Sequence, residues 1–278
     1  MPELPEVETV KRTLQGLVKG KMIQNVQVHL PRIIRHPEVE EFQRVLEGKV
    51  IEDIERRGKF LLFRISEGMT LISHLRMEGN YGLFEEGEPV AKHTHVIFTF
   101  SDGTELRYRD VRQFGTMDLI KSEDVLSHSS LSKLGYEPFD EGFTAAIFYQ
   151  GIKTRRKSIK TTLLDQAIVT GVGNIYADEI LFRSKVSPQT IAGDLSKKQA
   201  NIIYENIKIV LTEAIDAGGS SVKSYVNGQG EMGMFQQQLY VYQKHGEPCQ
   251  VCGEEIQKIR HGGRGTHFCP KCQRTSKR

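Results

Sequence analysis

The sequence predicts an α+β protein, and three observations predict it. A helical period opens the chain, a series of short β-rich runs follows, and a helical period returns before a cysteine-rich tail. The fold class is α+β: an N-terminal helix on an antiparallel β-sandwich, a helical region after it, and a small C-terminal module.

Each part has its own signal. Val7, Val10, Leu14 and Leu17 share one face of a helix predicted over 3–18. Pro5 suits its first turn, and Glu3, Glu6 and Glu8 sit at the positive end of its dipole. From about 22 to 120 the runs MIQNVQV, KFLLFRI, TLISHLR, HVIFTF, ELRYR and TMDLI read as strands, with Ser101-Asp102-Gly103 as a hairpin turn. The stretch 121–150 is mixed and holds the inter-domain connection. From about 155 the period is helical: Leu163, Leu164, Ala167 and Ile168 lead into the tight turn Gly171-Val172-Gly173-Asn174, and a helix starts near Ile175. That turn follows a helix and lacks a third glycine, which argues against a dinucleotide fingerprint. Ser196 to Gln199 is a capping box, and Gly218-Gly219 stops the helix it begins.

Composition narrows the function classes. The chain has 278 residues, 38% hydrophobic and 26% charged, a soluble globular balance. No run approaches a membrane span, and MPELPEVETV has neither the basic nor the apolar region of a secretory signal. The net charge of +3 hides an asymmetry. Residues 244–278 carry eight Lys or Arg and three Glu, a net of +5, so the remainder sums to −2. A second basic cluster gathers Lys153, Arg155, Arg156, Lys157 and Lys160 with no acid among them. Such clusters are the footprint of a phosphate-binding surface, against the plainer reading of solvated faces.

The four cysteines, Cys249, Cys252, Cys269 and Cys272, follow C-x2-C-x16-C-x2-C. Two such knuckles complete a tetrahedral thiolate site for one structural zinc ion, with disulfides and redox chemistry as the weaker alternatives. No redox or nucleotide cofactor is expected. At the other end, removal of Met1 would leave Pro2 as a free secondary amine. Its pKa class lies near 8, far below lysine, so it is a usable nucleophile at neutral pH. Attack at a sugar C1′ would give an iminium ion that permits β-elimination, and Glu3 could move the protons. Taken alone, Pro2-Glu3 also reads simply as the start of a helix.

MPELPEVETV, RRGKFLLF, SHLRMEG, YRDVRQFG, LLDQAIVTGVGNIYADEILF, NGQGEMGMFQQQLYVY and GRGTHFCPKCQR appear in this order. Together they resemble the bacterial formamidopyrimidine-DNA glycosylases along nearly the whole chain. Endonuclease VIII relatives typically open with PEGPE, so Leu4-Pro5 favours the purine-lesion branch. The resemblance implies a catalytic domain over 1–135, a helix-two-turn-helix DNA-binding domain over 136–238 and a zinc finger over 239–278. It implies a monomeric, cytoplasmic base-excision repair enzyme acting on double-stranded DNA that contains oxidised purines or abasic sites. Pro2 would be the Schiff-base nucleophile and Glu3 the acid/base at the sugar. Lys59 would serve β-elimination, and Arg264 δ-elimination and phosphate binding. Met77, Arg112 and Phe114 match the residues that fill the space of an extruded base. His74, His93, Arg155, Lys160, Asn174, Tyr242 and Lys258 match positions that grip the DNA backbone. Glu6, Glu78, Ser220, Ser224 and Tyr225 match the surroundings of the lesion and its closing loop. The chain departs from the family in Ser220-Ser221, commonly Thr-Thr, in Gln243, commonly Gly, and in Leu134-Gly135-Tyr136-Glu137-Pro138, commonly LGPEP. An oxidised-pyrimidine glycosylase of the same superfamily and a non-catalytic zinc-ribbon DNA-binding protein are the alternative readings.

Overall fold

A computed structural model describes residues 1–220 and 234–274. Ser224 and Tyr225 lie outside the described residues. The chain divides into two compact units. The first gathers Met1–Ser132 with residues 217–220 and 234, and the second gathers Lys133–Asp216 with residues 235–274.

The first unit begins with α1 (Leu4–Val18), whose start is a capping box: the Glu6 carboxylate accepts the Glu3 backbone N–H at 2.8 Å. The strands are β1 (Ile23–Val28), β2 (Ile34–His36), β3 (Ile51–Arg57), β4 (Phe60–Ile65), β5 (Met69–His74), β6 (Asn80–Glu85), β7 (Thr94–Phe100), β8 (Thr104–Arg109) and β9 (Thr116–Lys121). A short helix, α2 (Val39–Leu46), interrupts them. One sheet has the order β1-β7-β8-β6, the other β2-β9-β5-β4-β3. All neighbours are antiparallel except β2 with β9. Val7, Val10 and Leu14 of α1 join Phe63, Leu71, Phe98 and Tyr108 of both sheets in one buried core. The Ser101–Gly103 turn joins β7 to β8, and Lys21 binds Asp102 there.

The second unit contains α3 (Ala145–Lys153), α4 (Ile159–Leu164), α5 (Asn174–Arg183), α6 (Lys197–Asp216) and the hairpin of β10 (Gln257–His261) with β11 (Arg264–Phe268). Ser196 and Gln199 cap α6 reciprocally, and Gly218 and Gly219 take φ +75° and +81° beyond its end.

The structure corrects the sequence reading in three places. α2, β2, β3 and β6 lie in stretches that showed no clear period, because β3 (IEDIERR) is mostly polar and α2 is only two turns. The mixed stretch 121–150 contains the start of α3, capped by the Thr144 hydroxyl accepting the Ile147 N–H. α4 stops at Leu164, so Ile168 packs from a loop rather than from its face, and Ala167 is exposed. No helix among the described residues is long and apolar enough to cross a membrane.

Candidate active site and nucleic-acid interface

In the first unit, α1 runs antiparallel to β3, and three contacts fix the register. Glu8 meets Arg56 at 2.9 Å, Gln15 meets Asp53 at 2.9 Å, and Gly20 donates to Ile51. The rise from Glu8 to Gln15 is about 10 Å along a helix, and three strand residues from Arg56 to Asp53 span about the same. Continuing from Glu8 to Glu3 covers roughly 7 Å, about two more strand residues. That carries Pro2 and Glu3 to the Gly58-Lys59 turn between β3 and β4. Pro2, Glu3, Glu6 and Lys59 are all buried, whereas Met1 is exposed.

The turn is braced from behind. Arg56 bonds Glu8 through Nε and the Gly58 carbonyl through Nη1 at 3.0 Å. Burial alone would raise the Glu8 pKa. The bonds from Arg56 and Lys11 outweigh it and hold the carboxyl below its ordinary value. Glu6 has a second duty. Its Oε1 accepts the Ser220 backbone N–H at 2.8 Å and the Ser220 hydroxyl at 3.2 Å. A Cβ at Gly219 would lie 3.0 Å from Glu6 Cγ, so glycine permits the approach.

His74 ends β5 opposite Phe60 and is buried. Burial, then Arg76, Lys59 and Arg35, push its pKa down to about 3, so the ring is neutral. Its Nδ1 accepts the Arg76 N–H at 2.9 Å, which leaves Nε2 as the donor. Met77 and Phe114 are exposed, on turns after β5 and β8, and Arg112 lies over the Phe114 ring at 5.1 Å. Glu78 is half-buried, and its carbonyl accepts from Asn80. His93 has φ +69° and accepts the Asp110 N–H.

In the second unit the exposed Arg264 starts β11 after the Gly262-Gly263 turn, and exposed Lys258 pairs with His267 on β10 and β11. The carbonyl of Gly265, next to Arg264, accepts from Lys160 Nζ at 3.1 Å and from Asn174 Nδ2 at 3.0 Å. Lys160 is 1% exposed and ion-paired with Asp178 at 2.7 Å. This corrects the surface reading of its basic cluster: the balancing acid is eighteen residues away in sequence, beyond any local count of charge. Arg155 pairs with Asp165 at 3.4 Å, while Arg156 and Lys157 are exposed. The other Asp178 oxygen accepts the His267 N–H at 2.9 Å. Beside it, Glu179 accepts the backbone N–H groups of Tyr240, Val241 and Tyr242. Tyr242 packs edge-on to His267 at 5.1 Å. Asp178, Glu179, Asp110 and Arg56 escaped the sequence reading. Their one signal was acids and a base inside matched motifs with no assigned chemistry.

The four cysteine sulfurs all lie within 4.8 Å of one another. Tetrahedral Zn–S bonds require sulfurs about 3.8 Å apart, and Cys249–Cys272 and Cys252–Cys269 stand at 3.9 and 3.4 Å. The donor set fits one zinc ion. Four protein ligands leave no open position, so the ion's role is structural.

A helix-backed sandwich with Pro2 and Glu3 buried at its start, followed by helices and a four-cysteine ribbon, defines a DNA glycosylase of base-excision repair. Three family descriptions match the chain: "Formamidopyrimidine-DNA glycosylase N-terminal domain" over residues 1–117, "Formamidopyrimidine-DNA glycosylase H2TH domain" over 134–226, and "Zinc finger found in FPG and IleRS" over 246–275. The formamidopyrimidine-DNA glycosylase of Bacillus subtilis is 57% identical over 98% of this chain and 99% of its own. That of Bacillus licheniformis is 55% identical over 99% of this chain and 100% of its own. The Lactococcus lactis Fpg in complex with abasic-site DNA superposes with a TM-score of 0.94 at 42% identity, covering 98% of this chain and all of that one. The chain belongs to the formamidopyrimidine-DNA glycosylase family, whose members combine glycosylase with lyase activity.

Proposed function

We propose that this protein excises 8-oxoguanine and formamidopyrimidines from duplex DNA and then cleaves the strand by β,δ-elimination. The observation that carries the proposal is the register of α1 on β3, which brings Pro2 and Glu3 to the Lys59 turn. Loss of the exposed Met1 frees the Pro2 nitrogen. The amine attacks C1′ of the damaged nucleotide, the base departs with a proton, and the ring opens to an iminium ion. Glu3 supplies the proton to the ring oxygen. The iminium then accepts the electrons released when a C2′ proton is removed, and the 3′ phosphate leaves. Lys59 attends that step, and Arg264 the second elimination at the 5′ side. The product is a gap flanked by phosphates.

Met77, Arg112 and Phe114 fill the space the base leaves. His74, through its Nε2–H, with His93, Arg155, Asn174, Tyr242 and Lys258, holds phosphates. Lys160 serves from behind the Arg264 hairpin. Glu6, Glu78, Ser220, Ser224 and Tyr225 surround the extruded base. Solved Lactococcus lactis Fpg complexes carry abasic-site and Fapy-dG DNA, and one carries an oxidised pyrimidine. The protein works as a monomer in the bacterial cytoplasm, where its cysteines stay reduced for zinc.

Borohydride reduction during turnover on an 8-oxoguanine·cytosine duplex should lock the protein to DNA through Pro2. No covalent adduct, with Met1 confirmed absent, overturns the amine mechanism. Glu3→Gln should bind the lesion duplex yet lose base release. A higher kcat/KM on an oxidised-pyrimidine duplex than on the 8-oxoguanine duplex would move the assignment to the pyrimidine branch.

A further inference from the structure

We infer that Tyr108 and Asp110 are positioning residues that lock the two turns carrying Met77 and Arg112–Phe114 into a single rigid wedge. The inference rests on the void-filling roles proposed above.

The first turn runs from Leu75 to Gly79. It is closed by the Gly79 N–H donating to the Leu75 carbonyl at 2.9 Å, with Arg76 at φ +54°. The second runs from Asp110 to Gly115, with Gln113 at φ +58°. The Asp110 carboxylate is fully buried, and it organises this turn from inside. One oxygen accepts the Arg112 N–H at 3.1 Å, the other the Gly115 N–H at 2.8 Å. The Asp110 carbonyl is bound by His95 Nε2 at 2.8 Å, which ties the turn to β7. Two left-handed non-glycine residues and a buried carboxylate on two backbone amides describe turns held in one conformation by their surroundings.

Tyr108 joins the two turns. Its ring is 0% exposed and lies against Tyr81 at 5.0 Å, and its hydroxyl donates to the same Asp110 oxygen that holds Gly115. Burial, then the Asp110 charge, push its pKa well up, so it remains a phenol. A Cβ at Gly115 would stand 1.7 Å from the hydroxyl oxygen, and one at Gly79 would stand 2.3 Å from it. Both turns therefore close on one atom, which leaves no room for a Cβ at either glycine; at Gly79 the Leu75 carbonyl, 2.6 Å from such a Cβ, excludes it as well. Met77 is two residues from Gly79, and Phe114 is adjacent to Gly115. Displacing either turn requires moving Tyr108, which is packed in the sandwich core. The chemical advantage is that the side chains entering the duplex need not be ordered at the moment the base is extruded.

The test compares base excision with strand cleavage. Tyr108→Phe removes only the hydroxyl, and Asp110→Asn keeps the shape while removing the charge. On an 8-oxoguanine duplex both variants should lose roughly tenfold in kcat/KM. On a duplex with a preformed abasic site, where no base has to leave the stack, both should stay within about twofold of the parent. A double-mutant cycle of Met77→Ala and Phe114→Ala should show coupling in the parent and additivity in the Tyr108→Phe background. Full activity of Tyr108→Phe and Asp110→Asn on the lesion duplex overturns the inference, as does equal loss on both substrates or the same coupling in both backgrounds. A parent enzyme without excision, or a Phe114→Ala variant with unaltered excision, would instead refute the proposed function or the void-filling role.

Discussion

Glu3 and Arg264 are placed by different physics. In the first unit, α1 buries Val7, Val10 and Leu14 on a two-sheet core, and its contacts with β3 deliver its N-terminus to the Lys59 turn. Polar groups there are braced by neighbours, but apolar burial supplies the frame. In the second unit, the hairpin carrying Arg264 has exposed or half-buried residues along β10, and its apolar cluster is small: Phe182, Val241, Ile256 and two of the cysteines. It is held instead by the cysteine cluster, by Asp178 on His267, and by Lys160 and Asn174 on Gly265. A small module can therefore present a charged tip firmly on a small apolar cluster, provided that ionic and metal bonds make up for the missing apolar area.

Removing the metal should cost the second unit most. Chelation at neutral pH should unfold the ribbon, since structural zinc contributes about 10–16 kcal/mol in such modules. DNA binding should vanish while the first unit keeps its protease resistance. Proteolysis of both units at equal rates would deny their independence. Next comes Lys160→Met, which leaves the buried Asp178 charge without its lysine partner and with the His267 N–H on its other oxygen. A cost of about 3–5 kcal/mol is expected in denaturant unfolding, against no measurable cost for Lys157→Met. Equal costs would mean that the ion pair holds nothing.

The first unit answers to pH through His74. Its folded pKa, about 3, lies below the ordinary 6.5. The unfolded chain therefore binds the proton more readily. The stabilisation is complete above pH 6.5 and declines as pH falls towards 3, by about 1.4 kcal/mol per unit. His74→Gln should remove that part of the slope, which thermal unfolding at pH 7, 5.5 and 4.5 would measure. The smallest effect concerns Gln243, an exposed non-glycine residue at φ +62°. Gln243→Gly should raise stability by up to about 1 kcal/mol, and a loss of stability would show that the Gln243 side chain makes a compensating contact.

Local patterns in the amino-acid sequence located a helix over 3–18, the strands from KFLLFRI to TMDLI, the cap of α6 and the four zinc ligands. Each depends on a local period or spacing: a helical face, a short β-rich run between turn residues, a three-residue cap, a two-residue knuckle. The residues proposed for chemistry came from the resemblance of whole motifs to the family, not from any local period. Tertiary structure decided the rest. The polar strand β3 becomes a strand by pairing with β4 and accepting α1. Lys160 leaves the basic surface because Asp178 waits on another helix. Tyr108 meets Gly79 and Gly115 only because sandwich strands bring them together. The physical reason is common to all three. A charge or hydroxyl is worth most when its partner is distant in sequence and both are out of water, and no local pattern records which partner that will be.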